Sequence, residues 1–336
     1  MKPSLGQIKE ATWGAARIIE EGDCLCFYRC TKEQEELFRR RKEEFYRHSL
    51  GTAGVRLVFK TNSTFLKLNV KVENTSERKR FSFDIFVNGN LIGYLDNFSN
   101  VELPVGEKWI DLPIGEFEKK FDLGQGDKEI CIHFPYSVKA MLDCLEIEEG
   151  SSFEPIRSKK KMLAYGDSIT QGYYALRPSE RYISRLADLL GAEEVNKAIG
   201  SDRFCPDLAY LTDEFLPDYI VIAHGTNDWR TNRTVEEFKE KSGAFIYKIR
   251  EQYPTAHVIV VSPIWRKDYA DERPFGDFTK IDDALRDVVE NMQHVTVVRG
   301  FDLIPHEEKY YGDFLVHPND EGFREYFDSM KQQMKF

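Results

Sequence analysis

The chain lacks any apolar run near the roughly 20 residues that a membrane-spanning helix requires. Met1 to Glu21 also lacks the apolar stretch of a secretory signal, so a cytoplasmic location is expected. Positive charge is not in excess. Lys and Arg number 47 against 57 Asp and Glu, a formal net charge of -10. Nucleic acids and anionic membranes are held through clustered Lys and Arg, so neither is an expected partner. The one basic run, Arg39-Arg40-Arg41-Lys42, is flanked by Glu35, Glu36, Glu43 and Glu44 and reads as a solvated helix face. Cysteine is sparse. The six present (Cys24, Cys26, Cys30, Cys131, Cys144 and Cys205) fit reduced core positions. Cys24, Cys26 and Cys30 follow no common zinc spacing and have no His close by, so strand alternation accounts for Cys24 and Cys26. No metal and no cofactor is expected.

What is present is a chain too long for a single typical core. At 336 residues two domains are the default. A first domain over residues 1–155 reads as mostly β. Phe65 to Val72 alternates apolar and polar residues towards its end, and Phe81, Phe83, Ile85 and Val87 repeat the pattern. Asn88-Gly89-Asn90 then tolerates positive φ ahead of Leu91 to Leu95, a hairpin signal. Lys128 to Phe134 is another strand. Short strands with turns between them predict a jelly-roll-like sandwich. One charged, exposed helix is expected from Lys32 to Phe45, and Gly150 to Ser158 reads as a linker.

Residues 156–336 change texture. Strands are expected at Lys161 to Tyr165, Tyr219 to Ala223, Val258 to Val261 and Val295 to Val298. Helices are expected from Ser179 to Leu190, from the capping box Thr234-Val235-Glu236-Glu237 to about Glu251, from Ile281 to Val289 and from Glu321 to Met334. This rhythm predicts a parallel sheet covered on both faces, with ligands at the carboxyl ends of the strands.

Three segments at strand–helix junctions carry chemistry: Gly166-Asp167-Ser168, Gly225-Thr226-Asn227-Asp228 and His317-Pro318. Together they resemble the GDSL/SGNH hydrolase family over roughly residues 160 to 336. The resemblance implies an α/β, flavodoxin-like, three-layer α/β/α domain behind the all-β one. It also implies a serine esterase with no cofactor. A serine hydroxyl needs a base to take its proton, which assigns Ser168 as nucleophile and His317 as base. Gly166 would let the chain turn after its strand.

The family's oxyanion donors are the serine N–H, a glycine N–H and an Asn side chain. Ser168 and Asn227 match. The glycine position falls on Ser201, with Gly200 just before it, and either backbone N–H could donate. The family places its acid three residues before the His, which here is Phe314. Asp313, one residue earlier, reaches His317 only through a bulge; the alternatives are a Ser–His dyad or Asp313 as a surface turn residue. His224 lines the site or packs; His133 and His257 read as strand residues, and His48, His294 and His306 as surface. Tyr173, Trp229 and Trp265 are candidate substrate-binding aromatics, with core packing as an equal alternative. Arg230 and Arg266 either hold a polar or anionic group or are solvated. A β-sandwich before such a domain is similar to carbohydrate esterase family two, implying removal of acetyl groups from an oligosaccharide. Two other readings stay open: an esterase or thioesterase for another small acyl substrate, and a sugar-binding protein with a degenerate hydrolase domain. Assembly as a homo-oligomer is also left open.

Overall fold

The computed structural model describes residues 1–103, 111–231 and 233–334. Its C-terminal half is built on a five-stranded parallel sheet in the order Glu193–Asn196, Lys161–Gly166, Tyr219–Ala223, His257–Val261, Val295–Val298. Strand side chains alternate between faces, and each face has its own core. Leu163, Tyr165, Ile220, Ile222, Val258 and Val260 pack under helices Val235–Gln252 and Lys280–Val289. Met162, Ala164, Val221, Ile259 and Val261 pack under Tyr182–Leu190 and Asp320–Met334. The result is a three-layer α/β/α domain. The first strand in sequence lies between the second and third, so the strand order reverses at its carboxyl end, where Ser168 follows.

The N-terminal half is a sandwich of two antiparallel sheets. One runs Thr12–Trp13, Arg56–Thr61, Lys128–His133, Ser82–Val87, Asn90–Asp96. The other runs Arg17–Glu21, Cys24–Tyr28, Val138–Ile147, Phe65–Asn74, Gly115–Asp122. Alternation puts Leu66, Leu68, Val70 and Val72 opposite Leu57, Phe59, Ile130 and Ile132 in one shared core. The expected hairpin is present, with Asn88 and Gly89 both at positive φ.

Three expectations need correction. The segment read as a linker is part of the sandwich: Glu154–Pro155 pairs with Arg56–Thr61, and Phe153 stacks on Phe59 at 4.3 Å. The single exposed helix is two helices, Lys32–Arg41 and Glu43–Ser49, separated at Lys42. They are not merely solvated, because Leu37, Phe38 and Phe45 are buried in the core of the parallel-sheet half. Their charged residues mask an apolar face too short to dominate the pattern.

Polar contacts join the two halves. Arg29 is fully buried and donates to the carbonyls of Gly51, His48, Asn196 and Ala198 at 2.6–2.9 Å. Asp84 accepts the N–H and hydroxyl of Ser179 at 3.1 and 2.6 Å, and Tyr136 donates to the Ala175 carbonyl at 2.5 Å.

Candidate active site

The strand Lys161–Gly166 ends directly below a short helix, Ser168–Gln171. Gly166 is required here for space rather than for a turn: a Cβ would lie 2.4 Å from the Thr170 hydroxyl. Asp167 is the N-cap, accepting the Ile169 N–H at 2.9 Å. Ser168 is thereby the first helical residue, with its own N–H unused among the described residues' hydrogen bonds.

Ser168 Oγ lies 2.7 Å from His317 Nε2, and His317 Nδ1 lies 2.6 Å from Asp313 Oδ2. A carboxylate can only accept, so Nδ1 carries the proton and Nε2 is left to accept from the Ser168 hydroxyl. Asp313 does more than meet the ring. Its Oδ1 accepts the N–H groups of Leu315, Val316 and His317 at 2.9–3.0 Å. Phe314, at the position where the resembled family places its acid, has φ +52° and is turned outward. That one left-handed residue is the bulge that lets an Asp four residues before the His reach it. The loop is closed by a bridge between Tyr311 and Pro318 and by the Gly312 N–H to the His317 carbonyl at 2.8 Å.

Electrostatics fit these contacts. Burial would raise the Asp313 pKa, but His317 and the backbone N–H groups outweigh it and hold the carboxyl well below the usual range. Burial pushes the His317 pKa below its ordinary value, opposed by Asp313 and assisted by Arg78 and Arg266. The resting imidazole is therefore neutral at physiological pH.

The oxyanion candidates converge beside Ser168. Gly200 donates its N–H to Gln171 Oε1 at 2.9 Å, whereas the Ser201 N–H has no hydrogen-bond acceptor among the described residues. Ser201 sits at φ +64°, a conformation glycine takes more readily, which accounts for the family's usual residue there. Gly200 itself must lack a Cβ, which would meet His48 and Tyr173 at 2.9 and 3.0 Å. Asn227 lies in the helix Thr226–Arg230 and donates Nδ2 to the Asp202 carbonyl at 3.0 Å. Burial, with Asp202 and Asp228 nearby, raises the Asp167 pKa to about 7.

These groups open into a cleft of about 360 Å³. Its walls include Ser168, Ser201, Asn227 and His317 from the C-terminal half, but also Glu44, His48, Glu77 and Arg78 from the N-terminal half. His48 is buried rather than a surface residue. Arg78 lies 4.2 and 4.6 Å over the rings of Tyr173 and Tyr174, both of which pack against His317. No local pattern marks these N-terminal residues, because their proximity to Ser168 is purely tertiary.

The aromatic candidates separate. Tyr173 lines the cleft, though almost all of it is buried as wall. Trp229 does not reach the cleft. It is fully buried, bonded to the Gly276 carbonyl, and lies beneath Arg266 and Arg273. Trp265 also faces away, stacked on His306 at 5.5 Å. A five-residue helix does not announce in sequence which side turns inward. Arg266 and Arg230 both line the cleft, Arg266 buried and paired with Asp268 and Thr226, Arg230 exposed. His224 packs on Phe204 and Phe245, and burial lowers its pKa to about 4. Among the described residues no cluster of His, Cys, Asp and Glu could hold a metal, and no helix is long and apolar enough to cross a membrane.

Fold and site together define a class, that of ester hydrolases. Residues 164–325 match the family model described as GDSL-like Lipase/Acylhydrolase family. Solved structures share the architecture of the whole chain. The salicylyl-acyltransferase SsfX3 from a tetracycline biosynthetic pathway superposes with a TM-score of 0.79 at 20% identity, covering 96% of this chain and 93% of that one. A family two carbohydrate esterase from Cellvibrio japonicus gives 0.64 at 15% identity, covering 98% and 97%. An acetyl xylan esterase from the rumen bacterium Butyrivibrio proteoclasticus gives 0.57 at 16% identity, covering 84% and 90%. At these identities the likeness is one of fold. No curated protein sequence matches the chain.

Proposed function

We propose that the protein is a serine esterase that removes short acyl groups, acetyl above all, from a carbohydrate. The observation that carries this reading is the hydrogen-bonded line from Ser168 through His317 to Asp313, opening into a cleft. Ser168 Oγ attacks the ester carbonyl carbon as its proton passes to His317 Nε2. Asp313 keeps Nδ1 protonated and steadies the imidazolium. The carbonyl oxygen becomes an oxyanion, received by the N–H groups of Ser168 and Ser201 and by Asn227 Nδ2. Collapse breaks the ester bond, and the departing alcohol takes the proton from His317. Water then attacks the acyl-serine with His317 as base, releasing the carboxylate and restoring Ser168.

The carbohydrate part rests on architecture. The family two esterases and the acetyl xylan esterase carry the same order of folds. We assign residues 1–155 to the accessory sandwich and 156–336 to the catalytic domain. Six free cysteines support residence in the cytoplasm. A second reading, acyl transfer or hydrolysis on another small molecule, is favoured by the likeness to the salicylyl-acyltransferase. Acetate release from a panel of acetylated mono- and oligosaccharides, set against p-nitrophenyl acetate, tests the proposal. A preference in kcat/KM for particular acetylated sugars is expected. Equal rates across the panel, or preference for a non-sugar ester, would overturn the carbohydrate assignment.

A further inference from the structure

The oxyanion donors hang on a turn that the C-terminal half does not hold alone. Residues 199–202 close on themselves through the Asp202 N–H to the Ile199 carbonyl at 3.3 Å. One side of this turn is anchored by Gln171 at the Gly200 N–H. The other side is anchored from the N-terminal half. Arg41, the last residue of the helix Lys32–Arg41, donates Nη2 to Asp202 Oδ1 at 2.6 Å. The same oxygen accepts the Arg203 N–H at 2.8 Å, and the Asp202 carbonyl accepts Asn227 Nδ2 at 3.0 Å. Asp202 thus touches both donors: Ser201 as its neighbour in the chain, Asn227 through a hydrogen bond.

Charge points the same way. Asp202 is 1% exposed, and its Oδ2 has no hydrogen-bond partner among the described residues. Asp167 and Asp228 are buried close by, and Asp228 is paired with Arg233. A carboxylate left uncompensated here would oppose the negative charge that develops on the substrate oxygen. Arg41 supplies the compensation. Its neighbours Arg39 and Arg40 stay exposed, so the basic run is solvated except for the one residue turned inward.

We infer that Arg41 is a positioning residue of the active site, which acts through Asp202 to hold the Ser201 turn and Asn227 in place and to neutralise the charge beneath them. The inference rests on the esterase reading above. It makes the N-terminal half a working part of the catalytic site.

The test uses the whole chain with p-nitrophenyl acetate. Arg41→Met is expected to lower kcat about tenfold or more, short of the 10²–10³-fold typical of deleting a donor outright. KM should stay within about twofold, because the donors act on the transition state. Arg41→Lys should recover part of the loss, and Arg40→Met should match wild type. A double-mutant cycle excludes a purely structural effect: in an Asn227→Ala background Arg41→Met should cost clearly less, since a donor it positions is gone. Arg41→Lys carries the same cycle should Arg41→Met not fold. Equal losses in the two backgrounds, or turnover of the Arg41 variants equal to that of Arg40→Met, would overturn the inference. A wild-type protein that hydrolyses no ester would instead remove the esterase reading, and this inference with it.

Discussion

The two walls of the cleft are held in opposite ways. On the His317 wall the hydrogen bonds that orient the imidazole are local: Asp313, four residues away, holds the ring and also ties down three successive backbone N–H groups. The Ser201 wall is borrowed: its turn is fixed by Gln171 from one segment and Arg41 from another, and Arg29 grips the chain just before it. The proposed base is thus oriented from within one short loop. The proposed oxyanion donors depend here on how the two halves of the chain dock.

Substitutions on each wall should separate these two modes of support. The largest effect is expected at the His317 wall. Asp313→Ala removes the ring's partner and the loop's anchor together, and kcat on an accepted ester should fall by about 10⁴-fold. A loss below tenfold would reduce the site to a Ser–His dyad. Next, Phe38→Ala should lower stability by about 3–5 kcal/mol in denaturant unfolding, because this N-terminal residue fills the core of the other half. A change under about 1 kcal/mol, ordinary for a surface position, would mean the helix is only loosely docked. Asn227→Ala should stay folded and lose about 10²–10³-fold in kcat, roughly 3–4 kcal/mol of transition-state stabilisation. Near-normal turnover would remove it from the oxyanion hole.

The smallest effect concerns pH. Only neutral His317 can take the Ser168 proton, and its pKa lies below the ordinary value. Thus kcat/KM should rise with pH through an inflection below about 6.5 and be level at neutrality. Arg78 disfavours the imidazolium, so Arg78→Met should raise the His317 pKa and move the acid limb to higher pH by a fraction of a unit. An acid limb that stays put or moves to lower pH would show that Arg78 does not act on His317.

Sequence legibility follows the same divide between local and borrowed structure. Strands covered on both faces, such as Tyr219–Ala223 and His257–Val261, carry apolar runs and read directly. So does the capping box at Thr234. The strand Glu193–Asn196 did not, because it is polar yet buried: Glu194 pairs with Arg181, and Asn196 bonds the Thr170 carbonyl. The edge strand Gly115–Asp122 is mostly exposed and carries no clear alternation. Ser168, His317 and Asn227 were legible because each sits in a short motif, and Asp313 because it is close to His317 in sequence. The choice between Gly200 and Ser201 turned on the partner of one N–H, and Arg41 and Arg78 on distant packing. Neither leaves a mark in the order of residues.

Labelling of the intact protein with a fluorophosphonate, followed by peptide mapping by mass spectrometry, tests directly whether Ser168 is the nucleophile. One adduct per chain is expected, on Ser168, absent in Ser168→Ala and formed much more slowly in His317→Ala. Folded protein that takes up no label, or takes it up on another residue, would contradict that assignment.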